Sequence, residues 1–167
     1  MTIHDFNRLS FEAAKTELER CCGSHRWAER LASERPFANR SDLHTAAEKH
    51  WLALEEADWK EAFSHHPRIG AKALREKFAS TAAWALEEQR GAASASDEVI
   101  EALAEGNIEY EKRFGHVFLI CATGKSAVEM LEQLRARIGR SAQEELQTAA
   151  AEQSKITRIR LDKLITE

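Results

Sequence analysis

Ser141-Ala142-Gln143-Glu144 opens a stretch that runs to Leu164 without a glycine or proline, and its reading decides the fold. A serine followed three residues later by Glu is a capping box, in which each side chain satisfies a backbone N–H of the other, so a long helix starts here. At about 100° per residue, Leu146, Ala149, Ala150, Gln153, Ile156, Arg160 and Leu164 fall on one side. That spacing places Arg160 near the centre of an apolar stripe and turns Arg158 away from it. A guanidinium in a buried stripe requires an anion beside it, either an internal Glu or Asp or an anionic ligand.

The same signals recur along the chain. Ser10 caps a helix that passes Leu18 and ends near Cys21 at Gly23, and Trp27 to Glu34 forms a second, closed by Pro36. Ser41-Asp42 opens a third, with Leu43, Ala46, Ala47, Trp51 and Leu54 on its buried face. Asp58 to Ser64 and Ala71 to Phe78 flank a corner, and Ala82 to Arg90 follows. From Ser96, the positions Ile100, Leu103, Asn107, Tyr110 and Phe114 step by three and four up to Gly115. A further box, Ser126 with Glu129, opens a helix that closes at Gly139. The expectation is an all-α, single-domain bundle of about eight helices over residues 1–167.

Val117-Phe118-Leu119-Ile120-Cys121-Ala122 breaks the pattern, being too short for a helix and too apolar for a surface loop. It reads as an extended crossing whose backbone groups need partners from a ligand or a neighbouring loop.

The corner is Ser64-His65-His66-Pro67-Arg68-Ile69-Gly70. Proline disfavours helical backbone at the residue before it, so His66 is held extended and its ring is aimed, whereas His65 sits at the fraying end of the preceding helix. An imidazole on a rigid corner suits acid/base chemistry near neutral pH. Read alone, such a corner is usually a plain helix end. Glu88, within Glu87-Glu88-Gln89-Arg90, reads alone as part of a solvated charge run.

Composition excludes several function classes. A net charge of −4 and a pI near 6.0 supply no basic field for nucleic acid. No run approaches the length of a membrane span, and neither a signal peptide nor a peroxisomal address is present. Three cysteines without zinc-ligand spacing read as reduced thiols of a cytoplasmic protein, and the histidines show no metal-binding pair.

Taken in order, Cys21-Cys22-Gly23-Ser24 with Trp27, Arg35-Pro36-Phe37, His66-Pro67-Arg68-Ile69-Gly70, and Trp84 with Glu88-Gln89 and Gly91 form a recognisable set. Tyr110 with Arg113-Phe114-Gly115, the Phe118 to Gly124 segment, Lys155-Ile156 and Arg160-Leu161 complete it. This set closely resembles the OHCU decarboxylases, which convert 2-oxo-4-hydroxy-4-carboxy-5-ureidoimidazoline to (S)-allantoin and carbon dioxide in urate degradation. The resemblance implies a cofactor-free, metal-free, homodimeric enzyme acting on a small anionic ureidoimidazoline. It implies His66 as catalytic acid/base, with Glu88 and Arg160 around the substrate. Substrate contacts are implied for Pro67, for Ala85, Leu86, Glu87, Glu88 and Gln89, and for Phe118, Ile120, Cys121, Ala122, Thr123 and Gly124. Many members carry Ser where this chain has Ala85, so a hydroxyl contact is missing or replaced there. Loss of carbon dioxide leaves electrons that the ring can hold as an enolate, which is why no electron-sink cofactor is needed. From another class, a non-catalytic helical interaction module fits the same helices, with His66 as a corner and Arg160 paired internally.

Overall fold

The computed structural model describes residues 1–68, 70–74, 76 and 97–166. The expected helix through Trp84 and the site residues Ala85, Leu86, Glu87, Glu88 and Gln89 lie outside the described residues, as does Ile69 of the corner. Among the described residues there are eight helices and no strand: α1 (Ile3–Arg8), α2 (Phe11–Cys21), α3 (His25–Ser33), α4 (Arg40–Leu52), α5 (Glu56–Ser64), α6 (Asp97–Phe114), α7 (Ala127–Ile138) and α8 (Ala142–Leu164). Residues 71–74 are also helical. No helix among them is long and apolar enough to cross a membrane. The chain falls into two compact units, Met1–His66 with Leu146–Glu167, and Pro67–Glu145.

In the first unit each helix starts where a side chain can take up an open N–H. Ser10 accepts from the Ala13 amide at 3.2 Å, and Ser24 accepts from Trp27. α3 and α5 each start two residues earlier than expected, at His25 and Glu56, and two other starts differ in their cap or were not expected at all. α4 is capped by Asn39, whose side chain accepts from Asp42, because Asn at this position competes as well as the serine that follows it. A short α1, capped by Thr2 with Asp5, precedes the helix expected to be first. Arg35 ties α1 to α3 by donating to the carbonyls of Phe6 and Leu9 at 2.9 Å and of Ala32 at 3.0 Å. Phe6, Leu18, Trp27, Leu31, Leu43, Trp51, Phe63 and Leu161 are buried, each stabilising by about 1.5–3 kcal/mol on area grounds. The two buried indoles are satisfied by carbonyls, Trp27 by Ala47 and Trp51 by Ala150.

The buried stripe of α8 corrects the sequence reading. It runs Leu146, Ala149, Ala150, Gln153, Thr157, Leu161 and Ile165, whereas Ile156, Arg160 and Leu164 are half-buried. Arg160 therefore flanks the stripe and does not sit at its centre. The cause is Thr157, which a hydrophobicity pattern counts as polar. Its hydroxyl is satisfied inside by Gln153, so it enters the core without a desolvation penalty.

In the second unit α6 packs on α7 around Leu74, Ile100, Leu103, Met130, Leu131 and Leu134. A Cβ at Gly106 would lie 2.7 Å from Leu134, so glycine lets the two helices approach. Gly115 ends α6 at φ 76°, a backbone conformation that favours glycine. The segment after it is not helical, as expected of Val117 to Ala122, with Leu119 and Cys121 buried. Two of its carbonyls, expected to meet a ligand or a neighbouring loop, are taken by side chains: Arg137 donates to Leu119 at 2.8 Å and Lys125 to Cys121 at 2.9 Å. Among the described residues, Arg137 is the one buried guanidinium. It donates to Glu145, which also accepts from the Tyr110 hydroxyl at 2.5 Å, and it lies over the Phe118 ring.

Candidate functional site

α5 delivers the histidine corner. Its last turn closes with the His65 amide donating to Ala62 at 3.3 Å and the His66 amide to Phe63 at 3.1 Å, and Pro67 then ends the winding. His65 is exposed but constrained, contrary to the expectation of a fraying end. Its ring lies so close to Gly23 that a Cβ there would be 2.4 Å from His65 Cγ. His66 is half-buried and its Nε2 lies 2.6 Å from Gln153 Oε1 on α8. Burial pushes the His66 imidazole below its ordinary pKa, outweighing the Gln153 bond, which acts the other way; Arg160 and His65 lower it further. The ring is therefore neutral at pH 7, as a base should be.

Arg160 reaches the same place from α8. Its Nη1 donates at 3.2 Å to the Cys21 carbonyl, one of the carbonyls left open at the end of α2. Among the described residues it makes no ion pair, so the internal salt bridge that the sequence left open is absent there, and most of the five N–H donors of the guanidinium remain for another acceptor. His66 and Arg160 line one open pocket of about 750 Å³ together with Glu17, Glu19, Cys21 and Lys163. The acids of this pocket are already paired: Glu17 with Arg20 at 2.8 Å, Glu19 with Lys15 at 3.6 Å and with His25 at 2.7 Å. Arg160 and Lys163, one turn apart, have no carboxylate partner among the described residues. The pocket is therefore electropositive beside a neutral imidazole, a combination that holds an anion and moves a proton. The Cys21 thiol is pushed up to about 11 by burial, so it is protonated and leaves this charge balance unchanged.

Arg158 is exposed and lines a different cavity, beside His44, Trp51 and Leu161. Pro67 follows His66 directly. Phe118, Ile120, Cys121, Ala122, Thr123 and Gly124 belong to the second unit. There the Phe118 ring lies 5.1 Å from Tyr110, Ile120 and Ala122 pack on the α6–α7 core, and Thr123 and Gly124 are exposed, with Gly124 at φ 75°. Sequence reasoning missed Lys163 and assigned no role to Gln153. The first shares a face with Arg160 three residues on, which helical periodicity could have found; the second was visible only as a polar residue in an apolar stripe. Among the described residues, no group of three or more His, Cys, Asp or Glu could hold a metal ion.

An all-helical protein with an imidazole and, among the described residues, cations without carboxylate partners in one polar pocket has the makings of a small-molecule enzyme that acts on an anion. The OHCU decarboxylase family model matches residues 7–162, and the chain belongs to that family. It is 35% identical over 162 residues to the uric acid degradation bifunctional protein TTL of Arabidopsis thaliana, covering 95% of this chain and 49% of that protein. It thus spans about half of that relative's length. The 2-oxo-4-hydroxy-4-carboxy-5-ureidoimidazoline decarboxylase of Amia calva is 28% identical over 169 residues, with 99% of this chain and 95% of that one covered. Among solved structures, an OHCU decarboxylase crystallised in the presence of (S)-allantoin superposes with a TM-score of 0.73 at 32% identity, covering 90% of this chain and 98% of that one.

Proposed function

We propose that this protein decarboxylates 2-oxo-4-hydroxy-4-carboxy-5-ureidoimidazoline to (S)-allantoin and carbon dioxide. The observation that carries the reading is the pocket where a neutral His66 faces Arg160, in a chain of this family. The bond between the ring and its carboxylate breaks, carbon dioxide leaves with no electron pair, and the pair stays on the conjugated ring as an enolate. One proton from water balances the charge. The hydroxyl proton then moves to the neighbouring, ureido-bearing carbon, which becomes the stereocentre of the product. Arg160 holds the anionic charge, a role in which a preorganised donor contributes about 3–4 kcal/mol. His66 takes the hydroxyl proton and returns it to one face of the ring.

Glu88 with Gln89 is assigned to the hydroxyl and ureido groups. Pro67, the stretch 85–89, and Phe118 with Ile120 to Gly124 are assigned to substrate contacts; these roles rest on the family resemblance. Since the family model runs through both units, residues 1–167 are taken as one catalytic domain. A homodimer is proposed on the resemblance, and a cytoplasmic location on buried Cys21 and Cys22, which form no disulfide among the described residues and so suit a reducing compartment. Substrate generated in situ and followed by circular dichroism tests the activity. Rapid formation of (S)-allantoin is expected, and a rate no faster than the spontaneous decay would refute it.

A further inference from the structure

Behind His66 lies a row of hydrogen bonds that the reaction does not itself require. Thr157 lies beside the Cys22 thiol, which burial pushes up to about 11 and so keeps protonated. Gln153 Nε2 donates to Thr157 Oγ1 at 3.1 Å, and Gln153 Oε1 lies 2.6 Å from His66 Nε2. Gln153 and Cys22 are fully buried and Thr157 nearly so, which makes any unsatisfied group in the row costly. The Thr157 oxygen accepts from the Gln153 amide nitrogen. The amide oxygen is thereby turned to the histidine, and an oxygen can only accept.

We infer that Gln153 is a positioning residue that fixes His66 as the Nε2–H tautomer and so presents the bare Nδ1 lone pair as the base. The geometry stands on the row of bonds alone; its catalytic meaning rests on the decarboxylase reading above. An imidazole free to exchange tautomers would spend part of its time with the lone pair turned to Gln153, where no substrate proton can reach it. A neutral amide suits this task better than a carboxylate. It orients the ring without holding a charge beside it, so the imidazole stays neutral and ready to accept. The other titratable groups lining its pocket are the Met1 amine, His65, Glu17, Glu19 and Cys21, with the cationic Arg20, Arg160 and Lys163.

Long-range proton–nitrogen correlation spectra of the whole protein, with nitrogen-15 in its histidines, read the tautomer directly. A pyrrole-type Nε2 and an imine-type Nδ1 for His66 are expected, and the reverse pattern would overturn the inference. Gln153→Met should leave the tautomers mixed and lower kcat by about tenfold or more with little change in KM, because the base and not the binding is impaired. Gln153→Glu should retain the Nε2–H but move the acidic limb of the kcat/KM profile to higher pH. A folded Gln153→Met enzyme with unchanged tautomer and unchanged pH profile would contradict the role. The expected tautomer in a protein inactive on the substrate would refute the decarboxylase reading and leave the Gln153 geometry standing.

Discussion

Arg158 and Arg160 lie two residues apart on α8 and serve different pockets, Arg160 beside His66 and Arg158 beside His44 and Trp51. Arg160→Ala should lose about 3 kcal/mol of transition-state stabilisation, on the order of a hundredfold in kcat/KM. Arg158→Ala should be nearly silent. Steady-state rates of the two folded variants check this, and equal losses would break the assignment of Arg160 to the anion.

The buried pair of Arg137 and Glu145 is a stability element, unlike the pocket cations. Arg137→Met strands a carboxylate that is fully buried, and breaking one side of such a pair costs about 3–5 kcal/mol. It also frees the Leu119 carbonyl. Urea denaturation should show the loss, and a variant within about 0.5 kcal/mol of the parent would contradict it.

Gly23→Ala tests the contact that holds the corner. With His65 Cγ 2.4 Å from the new Cβ, the ring must move or the backbone must shift, at a cost of about 1–3 kcal/mol. Thermal unfolding measures it. An unchanged midpoint would show that His65 is free to swing away.

His66 also makes stability depend on pH, with a definite sign. Its native pKa lies below the ordinary 6.5, so between the two values the unfolded chain binds a proton that the native chain does not. Stability therefore falls as pH drops from about 6.5 through the native value and is unaffected by this group above 6.5. His25, raised by its bond to Glu19, works in the opposite direction, so the comparison must be wild type against His66→Asn. The difference between their denaturation midpoints should shift steadily over that window.

Much of this fold is legible in the sequence because helix starts are local chemistry. Ser10, Ser126 and Ser141 each mark a cap that a reader can place without knowing what packs above it. The helix break at Val117 to Ala122 and the end of α6 at Gly115 are legible for the same reason. What periodicity alone could not supply is the rotation of α8, since Thr157 becomes a core residue only once Gln153 satisfies its hydroxyl. The error in Arg160 follows from that rotation by part of a turn. Arg137 was hidden for a different reason: its partner Glu145 lies in another helix, and pairing across elements leaves no trace in a one-dimensional pattern. The pocket's charge balance is likewise a property of which acids meet Arg20, Lys15 and His25 in space.

His66, and not His65, is the histidine that delivers the proton to the ring in the proposed reaction. His66→Ala should slow decarboxylation by about 10²- to 10⁴-fold, while His65→Ala changes it by less than about tenfold. Because the substrate also decays unaided, the handedness of the product is the sharper readout. Circular dichroism of allantoin formed by the folded His66→Ala enzyme should drift toward a racemate, and fast, enantiopure (S)-allantoin from that variant would contradict the assignment of His66.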